Sequence, residues 1–368
     1  MSGVKGGGRR YALVMTLAIA ATVVVCAAGG AAVAALVVTT TTATRAEAPH
    51  PSSSPTDPTD DPAASPAPTP TAVEPPPPAP VEPPAPVVPV SPADTPCTAN
   101  VTMSVWAHYD DDLLFMNPQL QEAMTAGDCV RTVFLTGADA GRGWGYAQGR
   151  ELGILRAYNT MRGQTGFWSE KKVTLLAGMV ASQWSPQDDP DITVTFLRLP
   201  DGNLTGHGFP STGNVSLPAL VSGAIATMTP TDGGPPASLA GLVASVGELI
   251  TAYGADRLFT EVPAESAEWA PGDHPDHSAT GTITRAAWRG VSYPPDLVRY
   301  VVGYPSLNLG PNVGGDALAR KVAAFRVYAA EDPVVGCVTD AACLAKPRYG
   351  GWLERHYAKT EPELFPNG

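Results

Sequence analysis

Residues 46–96 place the strongest limit on how this chain can fold. They hold almost half of its 39 prolines, several acidic residues, and no lysine or arginine. A segment of this composition cannot bury a core, and we expect it to be a disordered or polyproline II linker. Fully extended, such a segment would reach roughly 150 Å at about 3.1 Å per residue. The globular core must therefore come from residues 97–368.

The residues before this Pro-rich linker have the pattern of a membrane anchor. Lys5, Arg9 and Arg10 are followed by a charge-free, mostly apolar run that extends to Val38. As a helix this run would be roughly 42 Å long, which exceeds the hydrocarbon thickness of a bilayer and the usual core of a signal peptide. We predict that residues 1–45 form a transmembrane signal anchor. The protein would then be a single-pass protein of the cell membrane, with its remaining residues outside the cytoplasm. The alternative is a cleaved signal peptide, which would make the protein secreted.

The net charge is unevenly distributed along the chain. The first 45 residues carry +4 and the linker −7, which leaves −9 of the total −12 for residues 97–368. An acidic domain without a basic stripe argues against nucleic acid as a partner.

Strand-like and helix-like patterns alternate along residues 97–368, which we expect to form one domain. The predicted strands are Val101–Ala107, Val130–Thr136, Val194–Leu199, Arg257–Val262 and Val298–Tyr304. The predicted helices are Pro118–Ala126, Tyr146–Arg162, Leu239–Tyr253, Ser278–Trp288 and Asp316–Ala329. This alternation predicts an α/β, Rossmann-like fold, in which a mostly parallel sheet has helices on both faces. Ligands of such folds bind beyond the carboxyl ends of the strands.

Two short segments concentrate residues that can bind a metal. His108 and the acidic triplet Asp110–Asp112 directly follow the first predicted strand. His274 and His277 lie in a predicted loop after the strand Arg257–Val262. Imidazoles and a carboxylate can bind one divalent cation, and a second carboxylate remains for proton transfer. Each segment alone is weak evidence, but the fold would bring the two together.

These segments resemble the two motifs of a known enzyme family. Ala107-His108-Tyr109-Asp110-Asp111-Asp112 is similar to the Ala-His-Pro-Asp-Asp-Glu signature of the PIG-L (LmbE-like) de-N-acetylases. His274-Pro275-Asp276-His277 matches that family's second motif, His-Pro-Asp-His. The chain departs from the first motif at Tyr109, which replaces proline, and at Asp112, which replaces glutamate. Neither position is an expected metal ligand.

The resemblance implies a role for each matching residue. His108, Asp111 and His277 would bind zinc, and Asp110 would be the general base. His274 would polarise the amide carbonyl or stabilise the oxyanion. Asp276 would orient an imidazole, and we predict that this is the imidazole of His274.

Two further residues are predicted to contact substrate. Arg150, in Gly149-Arg150-Glu151, is similar to an Arg/Glu pair of the family, and Asp139 is expected to line the cleft.

The implied reaction removes an acetyl group from an N-acetylated amino sugar or glycan. Zinc suits this reaction because it activates water near neutral pH and polarises a carbonyl. Two histidines and one aspartate also match the facial triad of iron enzymes, so Fe(II) is the alternative metal. Two rival functions are a metal-dependent hydrolase of another bond, such as a phosphoester or a peptide amide, and a surface glycan-binding module with a vestigial site. Trp144, Tyr146 and Trp184 could stack on a sugar ring, although core packing is equally compatible with their positions.

The cysteines are consistent with an oxidising compartment. Cys97 and Cys129 precede the first two predicted strands, so they can pair if those strands are parallel neighbours. Cys337 and Cys343 could close a short loop. Two such disulfides are typical of proteins outside the cytoplasm.

Overall fold

The computed structural model describes residues 90–366. Its strands are β1 (Val101–Trp106), β2 (Cys129–Thr136), β3 (Trp168–Thr174), β4 (Val180–Pro186), β5 (Ile192–Leu199), β6 (Thr227–Met228), β7 (Ala237–Ser238), β8 (Arg257–Glu261), β9 (Val298–Val301) and β10 (Ala358–Thr360). Its α-helices are α1 (Gln119–Ala126), α2 (Trp144–Met161), α3 (Leu217–Val221), α4 (Leu239–Tyr253), α5 (Pro275–Gly290), α6 (Gly315–Ala329), α7 (Asp340–Ala345), α8 (Tyr349–Leu353) and α9 (Glu361–Leu364). A π-helical turn covers Asp112–Met116.

Eight of these strands form one sheet in the order β10-β9-β8-β1-β2-β5-β4-β3. The neighbours from β9 to β5 pair in parallel, whereas β10, β4 and β3 pair antiparallel at the two edges. The prediction of an α/β fold with a mostly parallel sheet is confirmed. Because β2 lies on one side of β1, and β8 and β9 lie on the other, the strand order reverses at β1, which makes its carboxyl end a favoured place for a ligand.

Helices cover both faces of the sheet, as predicted. One buried cluster joins β1 to α4 and α5 through residues such as Val105, Leu249 and Ile283. The other joins β2 and β5 to α2 and α6, with Phe134 stacked on Phe196 at 5.6 Å. Side chains alternate between the two faces of a strand, so fully buried strands such as β1 and β2 contribute to both clusters.

The predicted helix Leu239–Tyr253 is confirmed in full as α4. The Ser238 side chain accepts a hydrogen bond from the Gly241 N–H and caps the first turn. The helix ends before Gly254, whose φ of 62° is left-handed and is readily adopted by glycine. Local capping chemistry therefore specifies both ends of this helix.

The edge hairpin of β3 and β4 was not predicted. The β3 sequence Trp168-Ser-Glu-Lys-Lys-Val-Thr174 is mostly exposed and lacks the apolar alternation by which a strand is recognised. It forms a strand because it pairs with β4 along its whole length, and β4 in turn pairs with β5.

The folded part of the chain begins before Cys97. Ala93 is fully buried in the core, and its carbonyl accepts a hydrogen bond from Gln183 at 3.2 Å. The Lys171 ammonium donates to the Pro92 carbonyl at 2.9 Å. The last residues of the predicted linker therefore pack on the domain.

Both predicted disulfides are present, Cys97–Cys129 and Cys337–Cys343. The first follows from the parallel pairing of β1 and β2, which places Val101 opposite Cys129 and brings the starting ends of the two strands together. Across residues 90–366, no helix has both the length and the apolar character that crossing a bilayer requires. The predicted anchor, residues 1–45, lies outside the described residues, as does most of the linker.

His356 gives a testable pH dependence of stability. Its Nδ1 donates to the Phe115 carbonyl at 2.6 Å, and burial together with the charge of Lys321 lowers the pKa of His356 to about 4, from a usual 6.5. Between these two values the unfolded chain binds a proton that the folded chain does not. We therefore expect this histidine to reduce the free energy of unfolding by up to about 1.4 kcal/mol for each unit that the pH falls from 6.5 towards 4.

Chemical denaturation of the wild type and of His356→Asn at several pH values measures this contribution. The asparagine amide can still donate to Phe115 but does not titrate, so its stability should fall less steeply with acid. His207→Asn, at an exposed position, is the matched control. Parallel curves for the wild type and His356→Asn would contradict the prediction.

Candidate active site

The two predicted segments meet at the carboxyl end of β1. His108 lies two residues beyond β1, and His274 is the N-cap residue of α5, which follows β8. The imidazole rings of His108 and His274 have their centroids 4.5 Å apart, and those of His108 and His277 are 5.2 Å apart. All three rings are buried. The prediction that the fold brings these segments together is confirmed.

Helix α5 begins three residues earlier than predicted. Pro275 occupies its first position, where proline has no backbone N–H to leave unpaired. The His274 Nδ1 accepts the Asp276 N–H at 3.1 Å and so caps the helix. His277 is therefore on the first turn of a helix and not in a loop.

The three predicted ligand residues bring their donor atoms close together. His108 Nδ1 lies 3.2 Å from His277 Nε2 and 3.3 Å from an Asp111 oxygen, and His277 Nε2 lies 3.1 Å from the other Asp111 oxygen. Tetrahedral zinc with bonds of about 2.0–2.1 Å has donor atoms about 3.3–3.4 Å apart. The spacing of these donor atoms is therefore compatible with a zinc ion.

The second nitrogen of each of these imidazoles faces a carboxylate. His277 Nδ1 lies 2.9 Å from Asp273 Oδ1, and His108 Nε2 lies 3.3 Å from Asp276 Oδ2. A proton held on those nitrogens leaves His108 Nδ1 and His277 Nε2 with free lone pairs, and these are the two atoms that face Asp111. Metal-binding histidines are oriented by carboxylates in this way.

Negative charge surrounds the imidazoles. Burial lowers the pKa of His277, but the charges of Asp111, Asp273 and Glu261 outweigh it and hold this pKa well above its usual value. Burial likewise opposes protonation of His108, and Asp111, Asp276 and Asp201 raise the pKa of His108. The same excess of negative charge favours a divalent cation between these groups.

Overlapping sets of ligating side chains occur at this place. Among the described residues, the sets whose donor atoms lie within 4.8 Å of one another are His108–His274–His277, His108–Asp201–His274–Asp276 and Asp111–Glu261–His277. Glu261 is fully buried at the end of β8, and one of its oxygens lies 3.8 Å from His277 Nε2.

The predicted base, Asp110, lies beside this donor set. Its Oδ1 accepts a hydrogen bond from Arg150 Nη2 at 2.7 Å. Burial and the charges of Asp111 and Asp332 raise the pKa of Asp110 to about 6, although Arg150 and His108 oppose the rise. A carboxylate with a pKa near neutrality is suited to accept a proton.

Arg150 is bonded to protein groups. Besides Asp110, its guanidinium donates to the Ala138 carbonyl at 2.7 Å and to the Tyr328 hydroxyl, and it lies 3.2 Å from Asp332. Its immediate partner is thus the predicted base. The geometry gives this side chain a positioning role, and contact with substrate stays a prediction.

The tautomer of His274 allows its neutral ring to donate a hydrogen bond. Because its Nδ1 accepts the Asp276 N–H, a neutral ring carries its proton on Nε2. Burial and the positive charges of His108 and His277 hold the pKa of His274 well below its usual value, so the ring stays neutral. Its Nε2–H is then available to donate to a substrate oxygen.

The Asp276 carboxylate pairs with an imidazole, but with that of His108 and not with that of His274, which we predicted. The Asp276 carboxylate faces His108, and it also accepts the Gly202 N–H at 2.7 Å. Its contact with His274 is made by its backbone, because a helix cap uses a backbone N–H. A side chain at Gly202 would collide with this carboxylate.

Asp139 supports a loop of the site. It is fully buried, and its Oδ1 accepts the Asp201 N–H at 3.1 Å. This bond holds the loop that carries Asp201 and Gly202 against Asp276. The contact of Asp139 with substrate stays a prediction.

The two departures from the first motif are structural. The Tyr109 hydroxyl donates to Glu151 at 3.0 Å, and its ring packs against Phe134 and Phe196. The Asp112 carboxylate accepts from the Tyr158 hydroxyl at 2.7 Å. Burial raises the pKa of Asp112 to about 8.

Sequence reasoning missed Asp273, Glu261, Asp201 and Tyr304. Asp273 directly precedes the second motif, and Glu261 ends a buried strand, so both positions carried a signal. Tyr304 packs against His277 with ring centroids 5.0 Å apart, but it lies after another strand, and no local pattern marks it.

A family model described as "PIG-L: GlcNAc-PI de-N-acetylase" matches residues 103–288. The search of curated proteins returned no match.

Solved structures with similar folds include deacetylases. The N,N'-diacetylchitobiose deacetylase from Pyrococcus horikoshii is 14% identical, with a TM-score of 0.39, and the match covers 73% of this chain and 86% of that one. A conserved protein from Thermus thermophilus is 16% identical, with a TM-score of 0.38, over 72% of this chain and 93% of its own. A deacetylase of the teicoplanin biosynthetic pathway is 13% identical, with a TM-score of 0.39, over 67% and 90%.

Proposed function

We propose, since this chain belongs to the PIG-L family of GlcNAc-PI de-N-acetylases, that it is a zinc-dependent hydrolase that removes the acetyl group from an N-acetylated amino sugar or glycan. The observation that carries the proposal is the donor set of His108, Asp111 and His277, whose atoms lie 3.1–3.3 Å apart beside a buried carboxylate, Asp110. Three protein ligands leave a position open, which is the arrangement of catalytic zinc sites.

Zinc would supply a Lewis acid that activates a water molecule and polarises the acetamide carbonyl. Asp110 takes the proton from the attacking water, and Arg150 holds its carboxylate in place. The His274 Nε2–H donates to the carbonyl oxygen as negative charge develops there. The proton on Asp110 then passes to the leaving amine as the C–N bond breaks, so acetate and a free amino sugar are released.

Surrounding residues keep these groups in position. Asp273 and Asp276 fix the orientation of His277 and His108 by accepting from their second nitrogens. A ring whose other nitrogen is bound in this way cannot turn away from the site. The bond from Tyr109 to Glu151 fixes the backbone between His108 and Asp110.

We also propose that the reaction takes place outside the cytoplasm. The disulfides Cys97–Cys129 and Cys337–Cys343 support this location, since such bonds persist in oxidising compartments. The charge-free run before Val38 supports a membrane tether, with a secreted form as the alternative.

The purified full chain should contain bound zinc and release acetate from N-acetylglucosamine or its oligomers. A chelator should abolish the release and added zinc should restore it, because zinc would activate the attacking water and polarise the acetamide carbonyl. Reconstitution with Fe(II) in place of zinc identifies the more active metal. Bound metal without acetate release would favour hydrolysis of another bond, such as a phosphoester. A chain that binds no metal when zinc is supplied would contradict the enzyme proposal and favour a vestigial site.

A further inference from the structure

A cavity separate from the active site lies on the side of the sheet that packs against α2. It has a volume of about 790 Å³ and is bounded by α2 and the edge strands β3 and β4. None of its lining residues is a predicted ligand, base or oxyanion donor. Its wall adjoins the active site, since Glu151 lines the cavity and accepts a hydrogen bond from Tyr109, next to His108.

Aromatic side chains dominate the apolar part of this cavity. Trp144, Trp168 and Trp184, three of the chain's seven tryptophans, line it together with Phe167. The Phe167 side chain is 82% exposed. The three tryptophans are partly buried and pack against the core, so the parts of their rings that face the cavity, together with Phe167, provide the flat faces on which a ligand ring can stack.

The charged residues of the cavity neutralise one another. The lining contains three acidic and three basic side chains. Arg198 makes two bonds to Glu151, at 2.7 and 2.8 Å, and one to Asp232 at 2.9 Å. Lys172 pairs with Glu170 at 3.0 Å. With no surplus of either sign, the cavity favours an uncharged ligand that makes hydrogen bonds.

Arg198 is held in place on the inner wall. Arg198 is buried with a φ of 60°, a left-handed backbone conformation that an arginine adopts only when its surroundings impose it. Its guanidinium lies 4.5 Å from the centre of the Trp144 ring. Such strain is typical of functional sites.

We propose that this cavity is an accessory binding site for a neutral glycan. Sugar rings have an apolar face that can stack on tryptophan and an edge of hydroxyl groups that can bond to the paired charges. Glycan would bind here at a site separate from that of the proposed reaction, so its binding can be measured without turnover.

The charge of the chain's own Pro-rich linker disfavours it as the occupant. The linker carries a net charge of −7, and the cavity has no excess positive charge to attract it. Pro92, near the end of the linker, bonds to Lys171, whose neighbour Lys172 lines the cavity. Successive side chains of a strand point to opposite faces, so Pro92 lies on the other side of β3.

Calorimetric titration of the full chain with the tetramer of N-acetylglucosamine tests this proposal. The chain would carry Asp110→Asn, so that bound glycan is not hydrolysed. We expect a class of glycan-binding sites whose affinity falls about tenfold with Trp144→Ala or Phe167→Ala, the loss expected for one stacked ring. Trp269→Ala is the matched control, since Trp269 is 42% exposed and lies outside the cavity. Thermal unfolding of each variant checks that it is folded.

Glycan binding that Trp144→Ala and Phe167→Ala leave unchanged would overturn the proposal, even if acetate release is observed. Binding that these variants weaken would sustain it, even if no acetate is released, so the two proposals can fail separately. A synthetic peptide of residues 71–90 is titrated in parallel. Tight binding of this peptide, lost in Phe167→Ala, would assign the cavity to a proline-rich ligand and overturn the glycan assignment.

Discussion

Replacing Asp110 with asparagine is expected to lower kcat for deacetylation by about two to four orders of magnitude while the bound metal remains. Asparagine has the shape of aspartate, and its amide oxygen can still accept the 2.7 Å bond from Arg150. It cannot take a proton from water at neutral pH. Because the predicted ligands are His108, Asp111 and His277, the metal content of the variant should equal that of the wild type. Acetate release and elemental analysis of the same preparation measure both quantities.

Asp112→Asn is the matched control, two residues further along the chain. Because burial raises the pKa of Asp112 to about 8, this side chain is mostly uncharged at neutral pH, and asparagine conserves both its charge and its size. We expect this variant to retain activity within a few fold. Normal turnover in Asp110→Asn would refute the assignment of the base. Loss of metal in that variant would show that Asp110 helps to bind the cation.

The position of the candidate site could be predicted because it depends on features that sequence records locally. The apolar run before His108 predicts a buried strand, and the alternation with helices predicts that parallel strands end at one edge of the sheet. The second motif follows another strand of that sheet. Their meeting in space needed only the fold class, and the ring centroids of His108 and His274 are indeed 4.5 Å apart.

The contacts within the site could not be predicted, because they depend on side-chain directions over a few ångströms. Sequence order places Asp276 next to His274 and His277, yet its carboxylate faces His108, which lies more than a hundred residues earlier. The sequence predicts that Arg150 contacts substrate, but in the structure its guanidinium donates to Asp110. Asp276 lies on the first turn of α5 and Arg150 on the second turn of α2, and the helix decides where each side chain points.

The edge hairpin escaped prediction for a different reason. Central strands are buried on both faces and show continuous apolar runs, whereas β3 has most of its residues exposed. Only its pairing partner identifies it as a strand. The hairpin also forms a wall of the accessory cavity. The proposed second site therefore lies in the part of the fold that local sequence patterns predict worst.

His277→Ala is expected to abolish both metal binding and acetate release. The ring is fully buried, and its Nε2 lies 3.2 Å from His108 Nδ1 and 3.1 Å from Asp111. Its removal leaves two predicted ligands, and it also leaves the carboxylates of Asp111, Asp273 and Glu261 without the imidazole that they surround. Elemental analysis and a competition titration with a chelator measure the loss of zinc. His277→Gln retains more of the side-chain volume and should lose metal as well, which separates ligation from packing.

Asp273→Asn should show an intermediate loss, because it keeps all three predicted ligands and weakens only the orientation of one. The neutral asparagine amide accepts the His277 Nδ1–H more weakly than the carboxylate does, and such changes typically reduce metal affinity by about 10- to 100-fold. His207→Ala, at an exposed histidine remote from both motifs in sequence, should bind zinc like the wild type. A His277→Ala chain that keeps a full complement of zinc would exclude this residue as a ligand and direct attention to the alternative set of His108, Asp201, His274 and Asp276. The order of zinc affinities, with the wild type above Asp273→Asn and Asp273→Asn above His277→Ala, therefore tests the ligand and its orienting partner in one series.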